Sequence, residues 1–137
     1  MDENCIFCKI IKGDIPAAKV YEDEKTLAFL DIAPVNKGHT LVIPKKHSKN
    51  LLEDDMDDLD ICMKTIKKVA KAVMGATGAD GFNLGANTNS AAGQVVFHTH
   101  FHIIPRFEDD GLRHWSQGKY DEMEMDSFQE KIKESIE

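Results

Sequence analysis

Residues 94–105 read Gln94-Val95-Val96-Phe97-His98-Thr99-His100-Phe101-His102-Ile103-Ile104-Pro105, and this segment decides the predicted fold and chemistry of the chain. Side chains alternate between the two faces of a β-strand, so His98, His100 and His102 are predicted to point the same way. The apolar residues between them can then bury against a helix on the other face. On a regular strand, adjacent histidines stand roughly 6.6 Å apart and the outer pair about 13 Å apart, so all three rings cannot bind one metal ion.

A row of imidazoles suits an extended anionic substrate such as a phosphate conjugate. One neutral ring can attack phosphorus near pH 7, and the phosphoryl-imidazole that forms is labile enough to hydrolyse. The neighbouring rings can donate hydrogen bonds to the non-bridging oxygens as charge shifts in the transition state. Two other interpretations stay open at this point: a His-x-His pair that binds a metal ion, and histidines that are only packed or solvated on a strand.

Four more strands are predicted from short runs of β-branched, aromatic and apolar residues. They cover Lys19–Glu22, Thr26–Ile32, His39–Ile43 and Gly81–Asn87, and the histidine segment makes the fifth strand, Gln94–Arg106. The acidic turn at residues 23–25 predicts that the first two strands form a hairpin, and Pro44 ends the third strand.

One long helix is predicted between the third and fourth strands. Apolar residues recur there at steps of three and four, so they share one face; they are Met56, Leu59, Met63, Ile66, Ala70 and Val73. Acidic residues in the first turns and lysines in the later turns match the helix dipole, and Gly75 and Gly78 mark the end.

Two short helices are predicted near the ends of the chain. The first covers residues 4–12 and is stopped by Gly13, which suits a C′ position. The second has capping-box spacing over Ser127-Phe128-Gln129-Glu130, with Phe128, Ile132 and Ile136 on its apolar face.

Strands on both sides of a single long helix predict an α+β fold. We expect a mostly antiparallel, five-stranded sheet with one long helix and one or two short helices. The chain has no internal repeat, low-complexity tract or linker. We therefore expect a single domain over residues 1–137, with a core at about 4–106 and a C-terminal extension at 107–137.

Charge and composition exclude several classes of partner. The 137 residues carry a formal net charge of −7 and 42% hydrophobic residues. An acidic chain has no broad positive field, so we expect no nucleic acid and no membrane surface as a partner. No apolar stretch approaches the length of a membrane span, and the N-terminus lacks the regions of a secretory signal, so a cytoplasmic protein is expected.

The three cysteines include the pair Cys5-x-x-Cys8. In a reducing compartment this spacing is typical of metal ligands or of a redox pair, and two histidines would complete a tetrahedral S₂N₂ zinc site. The redox alternative is weak because no strand precedes Cys5. Cys62 lies on the long helix and is predicted to be an inert core thiol.

The order of these motifs resembles the histidine triad (HIT) family, specifically its nucleotide-binding branch in the bacterial and archaeal type with zinc-binding cysteines. The family signature is His-φ-His-φ-His-φ-φ, with φ apolar, after a Gly-Gln pair. This chain has Gly93-Gln94 and then residues 98–104, with Thr99 at the first φ position. The similarity covers residues 4 to 106 and includes Cys5–Ile11, Ile15–Ala17, Ala28–Ile32 and Gly38–His47.

The resemblance implies an activity. It implies a nucleotide-binding hydrolase that cleaves purine nucleoside phosphoramidates or related nucleoside monophosphate conjugates, of AMP or GMP, through a nucleotidyl-histidine intermediate. His100 would be the nucleophile, His102 would hydrogen-bond the phosphate, and His39 would complete the catalytic set. His98 would be the remaining member of the triad.

The resemblance also implies a nucleotide pocket. Its members here are Phe29, Asp31, Ile32, Asn87, Gly93, Gln94 and Val95. Asp31 would accept hydrogen bonds from the ribose hydroxyls, although its position before a proline loop, taken alone, favours a turn-forming residue. Phe29 and Ile32 would lie beside the base. The family often has Ser at position 95, so the Val here removes a side-chain contact to phosphate and keeps only the backbone N–H.

The cysteine-bearing relatives imply that His47 and His98 join Cys5 and Cys8 around a structural Zn²⁺. The resemblance further implies a homodimer whose two five-stranded sheets join, with one nucleotide per subunit. Two competing hypotheses remain. One is a nucleotide-binding regulatory module with vestigial catalysis, and the other is a hydrolase in which His98 and His100 hold a catalytic zinc.

Overall fold

A computed structural model describes all residues from 1 to 137. The elements follow in the order α1 (Ile6–Lys12), β1 (Lys19–Glu22), β2 (Thr26–Leu30), β3 (Thr40–Pro44), α2 (Met56–Thr77), β4 (Gly81–Gly85), β5 (Phe101–Arg106) and α3 (Glu124–Ser135), with a short 3-10 turn at Ser90–Ala92. The predicted α+β fold with one long helix is confirmed. None of the helices has the length and apolar composition that a bilayer crossing requires.

The five strands form one antiparallel sheet in the order β1-β2-β3-β5-β4. The predicted hairpin of β1 and β2 is confirmed. Both faces of the central strands are covered: Leu27 and Phe29 of β2 face α1, whereas Ala28 faces α2. This burial on both faces explains why β2 and β3 are runs of apolar residues rather than alternating ones.

Helix α2 covers one face of the sheet, but it is rotated from the predicted orientation. Its buried residues are Cys62, Thr65, Ile66, Val69, Ala70 and Val73. The predicted face was wrong at Met56 and Met63, which are 72% and 45% exposed. A pattern of apolar residues assigns Met63 rather than Thr65 to the buried face of the helix. Thr65 is nevertheless buried, because its hydroxyl makes a 2.8 Å hydrogen bond with the Thr26 hydroxyl in the core.

Cys62 is fully buried on α2, as predicted. Burial raises the pKa of its thiol to about 12, and nearby carboxylates add to that shift. A thiol that stays protonated at neutral pH is unreactive, so Cys62 is a packing residue.

Helix α1 covers the opposite face of the sheet. Cys5 precedes the helix and caps it, because the Cys5 Sγ accepts a 3.4 Å hydrogen bond from the Cys8 N–H. Gly13 ends the helix in the left-handed conformation at φ +87°, as predicted. The buried residues on this face are Cys5, Phe7, Cys8 and Ile10 from the helix segment, with Leu27, Phe29, Leu41 and Ile43 from the sheet.

Five strand boundaries differ from the prediction. Strand β3 is displaced by one residue at each end, covering Thr40–Pro44 instead of His39–Ile43. Strand β2 ends at Leu30 instead of Ile32, β4 ends at Gly85 instead of Asn87, and β5 begins at Phe101 instead of Gln94. Residues 94–100 are not part of the sheet, and the Thr99 N–H donates instead to the carbonyl of Ser48 in a loop at 3.0 Å. The Gln94 amide donates to the Lys49 carbonyl at 2.6 Å. These loop contacts bend the chain ahead of β5, which alternation alone could not predict.

A tight turn at Gly38 places His39 at the entry to β3. Gly38 has φ +100°, and a Cβ added there would lie 2.7 Å from the Cγ2 of Thr77 on α2. Any other residue would be strained and would push the sheet away from the helix.

The C-terminal extension departs from the core after β5. Residues 107–121 contain no helix or strand. Helix α3 begins at Glu124, so the predicted capping box at Ser127 was wrong, and Ser127 lies inside the first turn. The predicted apolar face of α3 is solvent-exposed, with Phe128 45% and Ile132 61% exposed.

Candidate active site and metal centre

The three histidines of the predicted segment lie on the α1 side of the sheet. Phe101 and Ile103 between and after them pack against α2 on the other side, as the alternation predicted. The bend at residues 96–98 sends the three rings to different neighbours. His98 joins Cys5, Cys8 and His47, His102 joins His39, and the His100 ring lies 5.1 Å from the His102 ring.

The first cluster brings together two thiols and two imidazoles. The ligand atoms of Cys5, Cys8, His47 and His98 all lie within 4.8 Å of one another. The His98 Nδ1 is 3.5 Å from the Cys5 Sγ and 3.6 Å from the Cys8 Sγ. The His47 Nδ1 is 3.4 Å from the Cys8 Sγ and 3.1 Å from the His98 Nδ1.

These separations fit the edges of a zinc tetrahedron. With Zn–S about 2.3 Å and Zn–N about 2.0 Å, tetrahedral angles give S···N edges of about 3.5 Å and N···N edges of about 3.3 Å. The outer nitrogens are also supported. The His98 Nε2–H donates to the Pro44 carbonyl at 2.8 Å, and the His47 Nε2 is 3.7 Å from an Asp2 carboxylate oxygen. The His98 bond leaves the Nδ1 electron pair facing the thiols, which is the arrangement that a metal ligand requires.

His100 has the opposite ring orientation. Its Nδ1–H donates to the carbonyl of His98 at 2.7 Å, so the Nε2 carries the free electron pair. No buried side-chain nitrogen or oxygen lacks a partner, so the Nε2 of His100, which bonds to no protein group, contacts solvent. The side chain is 9% exposed and lines a cavity.

A chain of hydrogen bonds sets the protons of His39 and His102. The Val35 N–H donates to the His39 Nδ1 at 3.1 Å, so the proton of the neutral His39 ring is on Nε2. That Nε2–H donates to the His102 Nδ1 at 2.8 Å. The proton of His102 is therefore on its Nε2, where it can be donated to a ligand in the cavity.

Burial keeps these rings neutral. Desolvation is the main cause that lowers the pKa of His39, His98, His100 and His102, and it lowers the pKa of His98 and of His102 to about 4. The carboxylate of Asp31 opposes the shift at His39, His100 and His102. Near pH 7 the site therefore presents one free electron pair on His100 and one N–H on His102.

The cavity beside these rings has a volume of about 500 Å³ and is mostly apolar. Its lining includes His100 and His102 together with six residues of the predicted nucleotide pocket: Phe29, Asp31, Ile32, Asn87, Gly93 and Val95. An apolar pocket with a few convergent polar groups is typical of a small-molecule site. Phe29 is 4% exposed at its wall, whereas Ile32 and Val95 are 100% and 85% exposed at its rim.

Asp31 takes the turn-forming role considered for it and also lines the cavity. Its Oδ1 accepts a 2.9 Å hydrogen bond from the Ala33 N–H, which is the turn-forming contact. Its Oδ2 lies 3.7 Å from the His39 Nε2. The turn thus fixes the carboxylate at the edge of the cavity.

Gln94, His39 and His98 lie outside the cavity lining. Gln94 is 4% exposed, and its side-chain oxygen accepts a hydrogen bond from the Asn89 N–H at 2.8 Å, so it shapes the loop rather than the pocket. His39 lies behind His102, and His98 lies in the cluster with Cys5, Cys8 and His47.

Sequence reasoning missed the contribution of α1 to the cavity. Ile6, Phe7 and Ile10 line it, together with Ile15 and Ala17 from the following loop. The Phe7 ring lies 5.1 Å from the His100 ring in an edge-on arrangement. The available signal was the position of Phe7 between Cys5 and Cys8, because this cysteine pair ties a short helix to the histidine segment.

The family model described as the HIT domain matches residues 12–109. The HIT-like protein MJ0866 of Methanocaldococcus jannaschii is 57% identical over 109 residues, which are 78% of this chain and 82% of that protein. The adenosine 5'-monophosphoramidase hnt1 of Schizosaccharomyces pombe is 48% identical over 103 residues, which are 75% of this chain and 74% of that one.

Solved structures show the same relationship. SMU.412c from Streptococcus mutans has a TM-score of 0.93 and 46% identity, covering 100% of this chain and 88% of that chain. A zinc-bound histidine triad family protein from Mycobacterium smegmatis has a TM-score of 0.77 and 34% identity, covering 97% and 98% of the two chains. Sequence and structure together establish that this chain belongs to the histidine triad, or HIT, family.

Proposed function

We propose that this protein is a nucleotidyl hydrolase that cleaves purine nucleoside phosphoramidates, or related nucleoside monophosphate conjugates, through a covalent intermediate on His100. One observation carries the proposal. The His98 carbonyl holds the Nδ1–H of His100, so the Nε2 electron pair of a neutral ring is free at an apolar cavity. The name of the Schizosaccharomyces pombe relative, an adenosine 5'-monophosphoramidase, supports the same reaction class.

The reaction proceeds in two displacements. The His100 Nε2 attacks the α-phosphorus, the phosphorus–nitrogen bond breaks, and the leaving amine takes a proton from solvent water as it departs. The phosphorylated ring is then cationic, and the His98 carbonyl that accepts its Nδ1–H stabilises that charge. Water attacks the same phosphorus, releases a proton and returns the electron pair to Nε2.

The other groups bind and orient the nucleotide. The Nε2–H of His102 donates to a non-bridging oxygen, and His39 keeps it in that protonation state through the 2.8 Å bond between the two rings. Asp31 at the cavity edge accepts from the ribose hydroxyls. Phe29 supplies an apolar wall and Ile32 an exposed apolar rim for the base.

The cysteine cluster is proposed to hold a structural Zn²⁺ through Cys5, Cys8, His47 and His98. Four protein donors close a tetrahedral site, so no position is left for water, and the ion would serve the fold rather than the reaction. The cluster does not include His100, whose Nδ1 bonds to a carbonyl instead. The zinc-bound Mycobacterium smegmatis relative supports this assignment.

We also propose that two copies join through their β4 edges. The opposite edge, β1, is protected by a bulge at Lys19/Tyr21 and by the Lys19–Glu22 ion pair. Strand β4 has no such protection and exposes Phe82 and Leu84 by 42% and 43%.

Light scattering tests the proposed dimer. It is expected to give twice the 15.4 kDa of one chain, and Leu84→Lys is expected to halve the measured mass. Val20→Lys on the β1 edge is the matched control.

Trapping of the intermediate tests the hydrolase proposal. Protein quenched during turnover of an adenosine phosphoramidate should carry a nucleotidyl adduct on His100 by mass spectrometry. His100→Ala should lower kcat by at least about 10⁴-fold, because the nucleophile is gone. Lys64→Ala, on the solvent side of α2, is the matched control for preparation and folding.

A regulatory binding module without catalysis makes a different prediction. It would bind AMP in calorimetry and release no product under saturating phosphoramidate, and no adduct would form. Turnover of His100→Ala near the wild-type rate would exclude the covalent mechanism itself.

A further inference from the structure

Phe7 is in contact with both functional regions of the molecule. Its ring centroid lies 6.0 Å from the His98 ring, 5.1 Å from the His100 ring and 5.4 Å from the Phe29 ring, in edge-on arrangements. The side chain is 6% exposed and lines the cavity. It therefore touches a member of the metal cluster, the proposed nucleophile and the wall of the proposed base pocket at once.

Helix α1 depends on side chains for its attachment to the sheet. It has seven residues, and no backbone hydrogen bond joins it to a strand. A helix this short is not stable by itself in water. Four buried side chains anchor the segment, and two of them are Cys5 and Cys8 of the metal cluster. A metal ion held there would fix both ends of the turn that carries Phe7.

We propose that Phe7 is a positioning residue that couples zinc binding at the cysteine cluster to nucleotide binding and to the orientation of His100. This inference rests on the proposed function and on the zinc assignment above. With the cluster filled, the Phe7 ring, which is nearly perpendicular to the His100 ring, holds that ring in place and closes the apolar wall with Ile6 and Ile10. With the cluster empty, α1 loosens, the wall opens and the His100 ring gains rotational freedom.

Such coupling must act equally in both directions. If zinc tightens AMP binding by a given factor, AMP tightens zinc binding by the same factor. We expect about a 10-fold effect. Calorimetry of AMP binding to zinc-loaded and chelated full-length protein measures one direction. Competition of the protein with a chromophoric zinc chelator, with and without saturating AMP, measures the other direction.

The decisive comparison uses two variants of the same helix. Phe7→Leu keeps an apolar side chain but removes the aromatic ring. Ile11→Ala removes apolar volume that packs against the hydrophobic core on the α1 side of the sheet and does not line the cavity. Zinc affinity alone should stay within about 3-fold in both. The mutual factor, by which zinc and AMP each tighten the binding of the other, should fall below about 2-fold in Phe7→Leu and remain near 10-fold in Ile11→Ala. In zinc-loaded Phe7→Leu, kcat should fall about 10-fold while KM changes less than about 3-fold.

Three results would overturn the proposal. They are AMP affinity independent of zinc, a mutual factor in Phe7→Leu equal to that in Ile11→Ala, and no zinc binding at the cluster. If the metal-free protein unfolds globally, zinc and AMP strengthen each other's binding because both favour the folded state. That effect would persist in Phe7→Leu, which also counts against a role for Phe7. Because AMP and zinc binding are equilibrium measurements, a protein that binds AMP without turnover would fail the hydrolase proposal and still decide this one.

Discussion

Two clusters of metal-ligand type residues flank His100, and they differ in where their protons are held. The ligand atoms of Cys5, Cys8, His47 and His98 lie within 4.8 Å of one another, and so do those of Asp31, His39 and His102. By residue type and distance alone, both sets could bind a divalent ion. In the first cluster the His98 proton is turned outward to the Pro44 carbonyl, so its electron pair faces the thiols.

The second cluster points protons inward. The Val35 N–H bonds to the His39 Nδ1, so the His39 Nε2 carries a proton between His102 and Asp31. A metal ion at that position would need the electron pair of the His39 Nε2, so the ring proton would have to move to Nδ1. Two donors, the His39 Nδ1–H and the Val35 N–H, would then face each other. One backbone donor, the Val35 N–H, makes His39 a hydrogen-bond donor to His102 instead of a ligand for a metal ion. A backbone partner on the far nitrogen, rather than proximity, thus separates the proposed metal ligands from the groups proposed to bind phosphate.

The largest effect that separates the two clusters is expected from Cys8→Ser. This change removes a thiolate from the first cluster only, so zinc affinity should fall at least about 100-fold and the free energy of unfolding should fall with it. Competition with a chromophoric chelator and denaturant titration measure the two quantities. Cys62→Ala is the matched control, because it leaves a small cavity in the core but should keep one zinc per chain. Unchanged zinc affinity in Cys8→Ser would contradict the assignment.

His39→Gln is expected to act only on the second cluster. A flexible amide would replace the rigid ring that fixes the protonation and orientation of His102, so kcat should fall about 10- to 100-fold while zinc content stays at the wild-type level. Steady-state kinetics and metal analysis by mass spectrometry measure both quantities on one preparation. His47→Gln is the reciprocal change and should lower zinc content. Loss of zinc in His39→Gln would mean that the second cluster also holds the ion.

The sequence predicted the fold well because the deciding patterns are local. The hairpin of β1 and β2, the long helix and the shared face of His98, His100 and His102 follow from periods of two and of three to four. The start of β5 was wrong because the bend before Phe101 depends on distant loop carbonyls, such as that of Ser48. No local pattern encodes those contacts.

The site was predicted more completely on the sheet than on α1. Phe29 and Asp31 lie at the end of β2, within the stretch Ala28–Ile32 that resembles the family, so the resemblance led to them directly. Ile6 and Phe7 carry only a hydrophobic signal, which a core residue would give equally, and their place on the cavity depends on how α1 docks. The protonation of His39 depends on the Val35 N–H, a contact that only coordinates reveal.

The pH dependence of stability gives a smaller test of the second cluster. Burial lowers the pKa of His102 to about 4, below the value of about 6.5 in an unfolded chain. Between these values the unfolded chain binds more protons, so the free energy of unfolding falls as pH falls from 6.5 to 4. After a discount for partial exposure, wild type should lose about 1 kcal/mol more than His102→Gln over this range. Carboxylate titration is common to both proteins, and equal slopes would show that His102 is not desolvated.

The smallest expected effect concerns the end of the cavity proposed to hold phosphate, where the resemblance to the family leads us to expect Ser and this chain has Val95. Val95 is 85% exposed and lines the cavity, so its replacement disturbs no packing. Val95→Ser adds a hydroxyl that can donate to phosphate in both the ground state and the transition state. Such uniform binding should lower KM about 2- to 3-fold, leave kcat unchanged and leave zinc affinity unchanged. A change in kcat instead would mean that position 95 acts on the transition state. Position 95 would then contribute to the reaction itself, in addition to His100 and His102.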